Sequence, residues 1–173
     1  MKKQILMMVF LVIGILSGCS LGNTPTSRVE DLLSKYQMLD SDINISYVSL
    51  SEDTNIDSDY KDRYEELIRK QYRNMSYEIK EETIDGDGAT VTVEIEVMDY
   101  QKIIDEYDKD DYTTDEYHKL VLEALEKAND KVVYTLDINV IKDESGNWSV
   151  AALNELERRK LLGMNVLNDH IIK

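Results

Sequence analysis

Cysteine occurs once in this 173-residue chain, at Cys19, so no intramolecular disulfide and no cysteine-built metal site is available to it. Histidine occurs only as His118 and His170, and neither has a second ligand at the spacing a zinc site needs. Both read as surface residues. His118 sits between Tyr117 and Lys119, turned away from the stripe of Leu120, Val121, Ala124 and Leu125. Neither a glycine-rich phosphate loop nor a G-x-S-x-G nucleophile elbow is present. Nothing implies a cofactor. Basic residues are also few, 20 Lys and Arg against 35 Asp and Glu, a net charge of −15. A chain this acidic has no basic surface with which to neutralise phosphates, which argues against nucleic acid as a partner. The one long apolar run, Ile5 to Leu16, is shorter than the roughly 20 residues that cross a bilayer.

That run is nevertheless informative. Lys2 and Lys3 precede it, and the small residues Ser17 and Gly18 close it, the three-part layout of an export signal over residues 1–18. Leu16-Ser17-Gly18-Cys19 resembles the lipobox of bacterial lipoproteins. The resemblance implies that the Cys19 thiol carries a diacylglyceryl group and that cleavage falls just before it. The alternatives are a plain secretory peptide and a signal anchor with an incidental cysteine. One acyl chain holds a protein only marginally at a membrane, whereas two or three on one residue hold it firmly. The expected location is the extracytoplasmic side of the cell membrane, with the lipid on Cys19 as the membrane contact. Residues 19–26 read as a short neutral tether, since Ser20 to Pro25 lacks the basic cluster that draws a chain to headgroups. Loss of Lys2 and Lys3 makes the mature form more negative still, so an anionic membrane surface repels its body.

The chain beyond the signal is long enough for one domain and short for two. The pattern predicts an α+β domain over 27–163 and a C-terminal tail over 164–173. Ser27 and Glu30 form an S-x-x-E capping signal ahead of Val29, Leu32, Leu33, Tyr36 and Leu39 at helical spacing. Residues 40–58 fit either a short helix or an extended loop. Tyr60, Tyr64, Leu67, Ile68 and Met75 mark a second helix, with Glu65–Arg69 and Glu66–Lys70 spaced as i, i+4 pairs on its outer side. The period then drops to two. Tyr77 and Ile79, then Val91, Val93, Ile95 and Val97 after Asp85-Gly86-Asp87-Gly88, alternate with polar residues as in a hairpin buried on one face. Asp99 and the Thr113/Glu116 pair cap two helices that interrupt the strands. Val132, Tyr134, Leu136, Ile138 and Val140 resume the alternation, turn through Asp143 to Gly146, and return as Trp148, Val150 and Ala152. Asn154 with Glu157 starts a last helix that ends at Gly163. The expected fold is a curved four-stranded antiparallel sheet of two hairpins, covered on one face by amphipathic helices. This architecture is similar to cystatin-like and nuclear-transport-factor-like cones.

A closer resemblance lies in Thr26-x-x-Val29-Glu30, Lys35-Tyr36, Leu39 to Asp42, Lys70-Gln71-Tyr72, Tyr77 to Lys80, the run from Ala89 to Val97 with Asp99-Tyr100, and Trp148. These residues resemble an uncharacterised group of lipoproteins from Gram-positive bacteria. The resemblance implies surface anchoring and carries no catalytic motif.

Three candidates for chemistry remain. Asp53-Thr54-Asn55-Ile56-Asp57-Ser58-Asp59 spaces its oxygens like the start of an EF-hand, but Ser58 stands where glycine is needed and Tyr64 where a bidentate glutamate belongs. The plainer expectation is a polar loop capping the second helix. Carboxylates crowd residues 105–116, with Asp108, Asp110 and Asp111 the weak metal candidates, in a segment that otherwise reads as a solvated linker. Eleven tyrosines make an Asp–Tyr proton-transfer pair of the ketosteroid-isomerase kind available. Tyr134 and Trp148 read as core. With no catalytic motif, the expected role is binding of a protein or a small ligand, and the alternative is a cone-type pocket protein or enzyme.

Overall fold

The alternation of apolar and polar residues becomes one antiparallel sheet in the computed structural model, which describes residues 22–165. Its strands are β1 (Ser76–Asp85), β2 (Gly88–Met98), β3 (Lys131–Lys142) and β4 (Trp148–Val150), in that spatial order. On β2, Ala89, Val91, Val93, Ile95 and Val97 all turn inward and stand opposite Val140, Ile138, Leu136, Tyr134 and Val132 of β3. Burial of each large aliphatic side chain contributes about 1.5–3 kcal/mol, so this paired row is the backbone of the core. Trp148 is buried and Tyr134 half-buried, both on the inner face. The β1–β2 turn is Gly86-Asp87, in which Gly86 takes a φ of +60°, the conformation a two-residue hairpin needs at its first position.

A bulge between Ile79 and Glu81 reverses the parity of β1. Tyr77 and Ile79 face inward before it, and Glu82, opposite Val91, does so after it. Glu82 there accepts from the Thr26 backbone N–H (2.9 Å) and hydroxyl (2.6 Å), a carboxylate at the positive end of a helix.

That helix is α1 (Pro25–Met38), and it starts earlier than expected. Its N-cap is Thr24, with Ser27 as the reciprocal partner (3.1 and 3.2 Å) in place of the Ser27/Glu30 pairing. The reason is Pro25, whose fixed φ suits the first helical turn. Residues 24–26, expected to belong to a tether, are part of this helix and its cap. Asn23 already binds the body, donating to Gly146 O (2.9 Å) and accepting from Trp148 N (2.9 Å).

α1 packs across the inner face against all four strands, and α3 (Ser58–Asn74) lies between it and α5 (Thr114–Glu126). Asp57 caps α3, Thr113 and Glu116 box the start of α5, and Asn154 and Glu157 box α6 (Glu155–Leu161). Of residues 40–58, all but Ser58, which begins α3, resolve into loop around the one-turn α2 (Val48–Ser51). Glu65 meets Arg69 at 4.0 Å, while Glu66 meets Arg73 at 3.6 Å. After β2 come α4 (Tyr100–Ile104), capped by Asp99, and a 3-10 turn at Lys109–Asp111. The segment after α6 docks at the far end of β2: Gly163 O accepts from Gln101 N (2.9 Å), and Met164 is buried beyond the expected boundary at 163. Among the described residues, no helix is long and apolar enough to cross a membrane. The fold is thus α+β, an open antiparallel sheet with helices on its inner face. Residues 1–18, Cys19 and His170 lie outside the described residues.

Candidate functional site

α2, α4, α5 and α6 converge near the Met98 end of β2 around a cleft of about 640 Å³. It is lined by Leu50 to Glu52, by Gln101, Ile104 and most of the 105–110 stretch, and by Tyr117, Arg159 and Met164. The size suits a small ligand or a few residues of a peptide.

Arg159 is only 7% exposed, although it belongs to the basic last turn of α6. Its Nη2 donates to Glu52 Oε1 at 3.0 Å and lies 3.8 Å from Met164 Sδ. Glu52 reaches this position through a left-handed backbone (φ 62°) at the end of α2, an unusual conformation for a residue with a side chain. Arg159 Nε has no hydrogen-bond partner among the described residues, and neither does Gln101 Oε1. Gln101 Nε2 donates to Asp105 Oδ1 at 2.7 Å.

Beside the cleft runs a chain of polar contacts that the sequence reading missed. His118, expected at the surface, is fully buried. It lies on the same helical stripe as Val121, Leu122 and Leu125, which face the core, so its ring is carried inward with them. Its Nε2 is 2.7 Å from Asp53 Oδ2 and its Nδ1 is 3.0 Å from the Tyr64 hydroxyl. An ionised Asp53 can only accept, so Nε2–H donates to it, and in that tautomer of the ring Nδ1 is the acceptor for the Tyr64 O–H. Lys109 Nζ meets the same Asp53 oxygen at 2.8 Å. Burial pushes the Asp53 carboxyl upward, but hydrogen bonds from Lys109 and His118 outweigh it and hold the group below its usual range. Burial pushes the Tyr64 hydroxyl well up, away from ionisation.

The EF-hand-like oxygens are committed to other work. Asp53 serves Lys109 and His118, Asp57 caps α3, and Tyr64 is core. Asp108 Oδ1 accepts from Asp110 N at 3.0 Å and so starts the 3-10 turn. No group of three or more His, Cys, Asp or Glu residues placed to hold a metal occurs among the described residues, Asp108, Asp110 and Asp111 included. The cleft residues Glu52, Gln101 and Arg159 were also unforeseen. Arg159 carried a signal, since it lies three residues from both Leu156 and Leu162 and thus on an apolar stripe.

No protein-family model, no curated protein and no solved structure matches the chain.

Proposed function

We propose that this chain is a lipid-anchored binding module on the extracytoplasmic side of a bacterial cell membrane, related to the Gram-positive lipoproteins and to cystatin-like or nuclear-transport-factor-like cones. The observation that carries the reading is the distance between the entry of the chain and the cleft. Asn23 is tied to Gly146 and Trp148, at the end of the sheet where Gly88 pairs with Ile141. The cleft is built by α4, which leaves β2 at the opposite end, past Met98. A strand of this length spans roughly 35 Å. Cys19 is four residues before Asn23, so a lipid there holds the Asn23 end within about 14 Å of its attachment point and turns the cleft outward.

The Asp53–His118–Tyr64 chain lends the proton-transfer alternative no support. A depressed Asp53 and a Tyr64 pushed away from ionisation are the reverse of what a general acid and a phenolate base require. His118, which joins them, is sealed from the cleft.

The test is Cys19→Ser in cells fed a labelled fatty acid. The wild-type chain takes up label and is cleaved before Cys19, while the variant stays unlabelled and uncleaved. Label on the variant, or an unmodified wild-type amino end, overturns the anchor.

A further inference from the structure

Resting on that binding reading, we propose that the cleft takes a short extended segment of a basic peptide. Two atoms in the cleft residues ask for partners of opposite kind. Arg159, more than nine-tenths buried, spends Nη2 on Glu52 and Met164 and leaves the Nε–H donor without an acceptor among the described residues. Gln101 spends Nε2 on Asp105 and leaves Oε1 without a donor. A buried polar group without a partner is unfavourable, so a ligand that supplies both partners gains twice. A peptide unit carries one carbonyl and one N–H, which is this pair of requirements. An anion such as phosphate serves Arg159 but turns lone pairs toward Gln101 Oε1 and the carboxylates. A polyamine serves Gln101 and leaves Arg159 unmatched.

The rim selects the side chain. Asp105, Asp108 and Asp110 are exposed around the cleft, and Lys109, the cation among them, is paired with Asp53. Surplus negative charge there attracts a lysine or arginine, whose apolar stem can lie on Leu50, Ile104 and Met164. Both atoms are closed off from solvent in the unliganded cleft, so the peptide reaches them by displacing lining side chains.

Calorimetry on the full chain in detergent tests this with three probes: acetylated trilysine amide, acetylated triglutamate amide and spermine. Trilysine amide should bind at least tenfold tighter than the other two. Gln101→Leu should weaken it about tenfold, and Asp108→Asn with Asp110→Asn severalfold. Arg159→Met should weaken it too, and because Arg159 is buried, the Gln101 and rim variants keep the test decisive if that variant fails to fold. Spermine binding as well as trilysine, triglutamate binding better, no binding of trilysine, or Gln101→Leu leaving the affinity unchanged each overturns the proposal. An unbound trilysine beside a lipidated Cys19 removes the ligand class and leaves the anchor. Binding without lipidation does the converse.

Discussion

His118 Nε2 lies 2.7 Å from Asp53 Oδ2, a contact that joins the middle of α5 to the loop ahead of α3 across 65 residues of sequence. The bond is one link of a longer chain, because Tyr64 holds the other ring nitrogen and Lys109 the same carboxylate oxygen. A histidine with both nitrogens met inside the protein can be fully buried at little cost. Its four members come from α3, α5, the loop before α3 and the segment after α4, so the contacts fix those pieces relative to one another. Lys109 also lines the cleft, so this chain of contacts ties part of the cleft lining to the core.

Asp53→Ala should therefore cost about 1–3 kcal/mol at neutral pH, the penalty for leaving the buried His118 N–H without an acceptor. The pH dependence has a definite sign. The folded-state pKa of Asp53 is lowered, so its contribution is complete above the unfolded value near 3.8 and fades as pH falls through the folded value. Urea unfolding at pH 7 and pH 3 should show the gap between wild type and variant shrinking in acid. A gap of equal size at both pH values would show that the ionised carboxylate is not the stabilising species.

Tyr100 makes the opposite prediction in alkali. Burial pushes its hydroxyl up to about 12. The unfolded chain releases that proton near pH 10 and the folded one later, so stability is complete below pH 10 and lost between pH 10 and 12. Two pH units correspond to about 2–3 kcal/mol. Tyr100→Phe should unfold with a flatter alkaline limb than wild type in thermal melts from pH 9 to 12. Identical slopes would rule out Tyr100 as a source of the alkaline loss.

The parts of the fold legible in the sequence are those where one period runs unbroken. The five inward residues of β2 and their partners on β3 are spaced by two throughout, and the capping signals at Asp99, Thr113 and Asn154 each lie within four residues of the group they bind. β1 was less legible because its bulge changes parity at Lys80, although Ile84, out of step with Tyr77 and Ile79, was the trace of it in the sequence. The start of α1 is masked by the Ser27/Glu30 spacing, the more usual capping box, because Thr24/Ser27 uses a serine where glutamate or glutamine is usual. The candidate site was almost illegible. Glu52, Asp53, Gln101, His118 and Arg159 meet only after α2, α4, α5 and α6 have packed, and pairing between residues that far apart leaves no local period.

Gly163 decides how firmly the last helix is seated beside the cleft. Its φ is +77°, and a Cβ there would stand 1.9 Å from the Met98 carbonyl oxygen and 2.7 Å from Gln71 Nε2. Those are the atoms that close the end of β2: Gln71 accepts from Met98 N (3.0 Å) and donates to Met98 O (2.9 Å), while Gly163 O takes the Gln101 N–H. Gly86 provides the control, since it has a φ of +60° with nothing within 4 Å of a Cβ. Gly86→Ala should lose about 1 kcal/mol from the backbone alone. Gly163→Ala carries the same backbone cost and also drives the segment after α6 off Met98, so its loss should be at least about 2 kcal/mol larger. Arg159 and Met164 sit within four residues of Gly163 and line the cleft, so the same substitution should weaken any ligand that Gly86→Ala leaves unaffected. Urea midpoints for the two variants measure the difference. Equal losses would mean that the segment after α6 does not press on the end of β2, and Arg159 and Met164 would then have to be held in the cleft lining by some other contact.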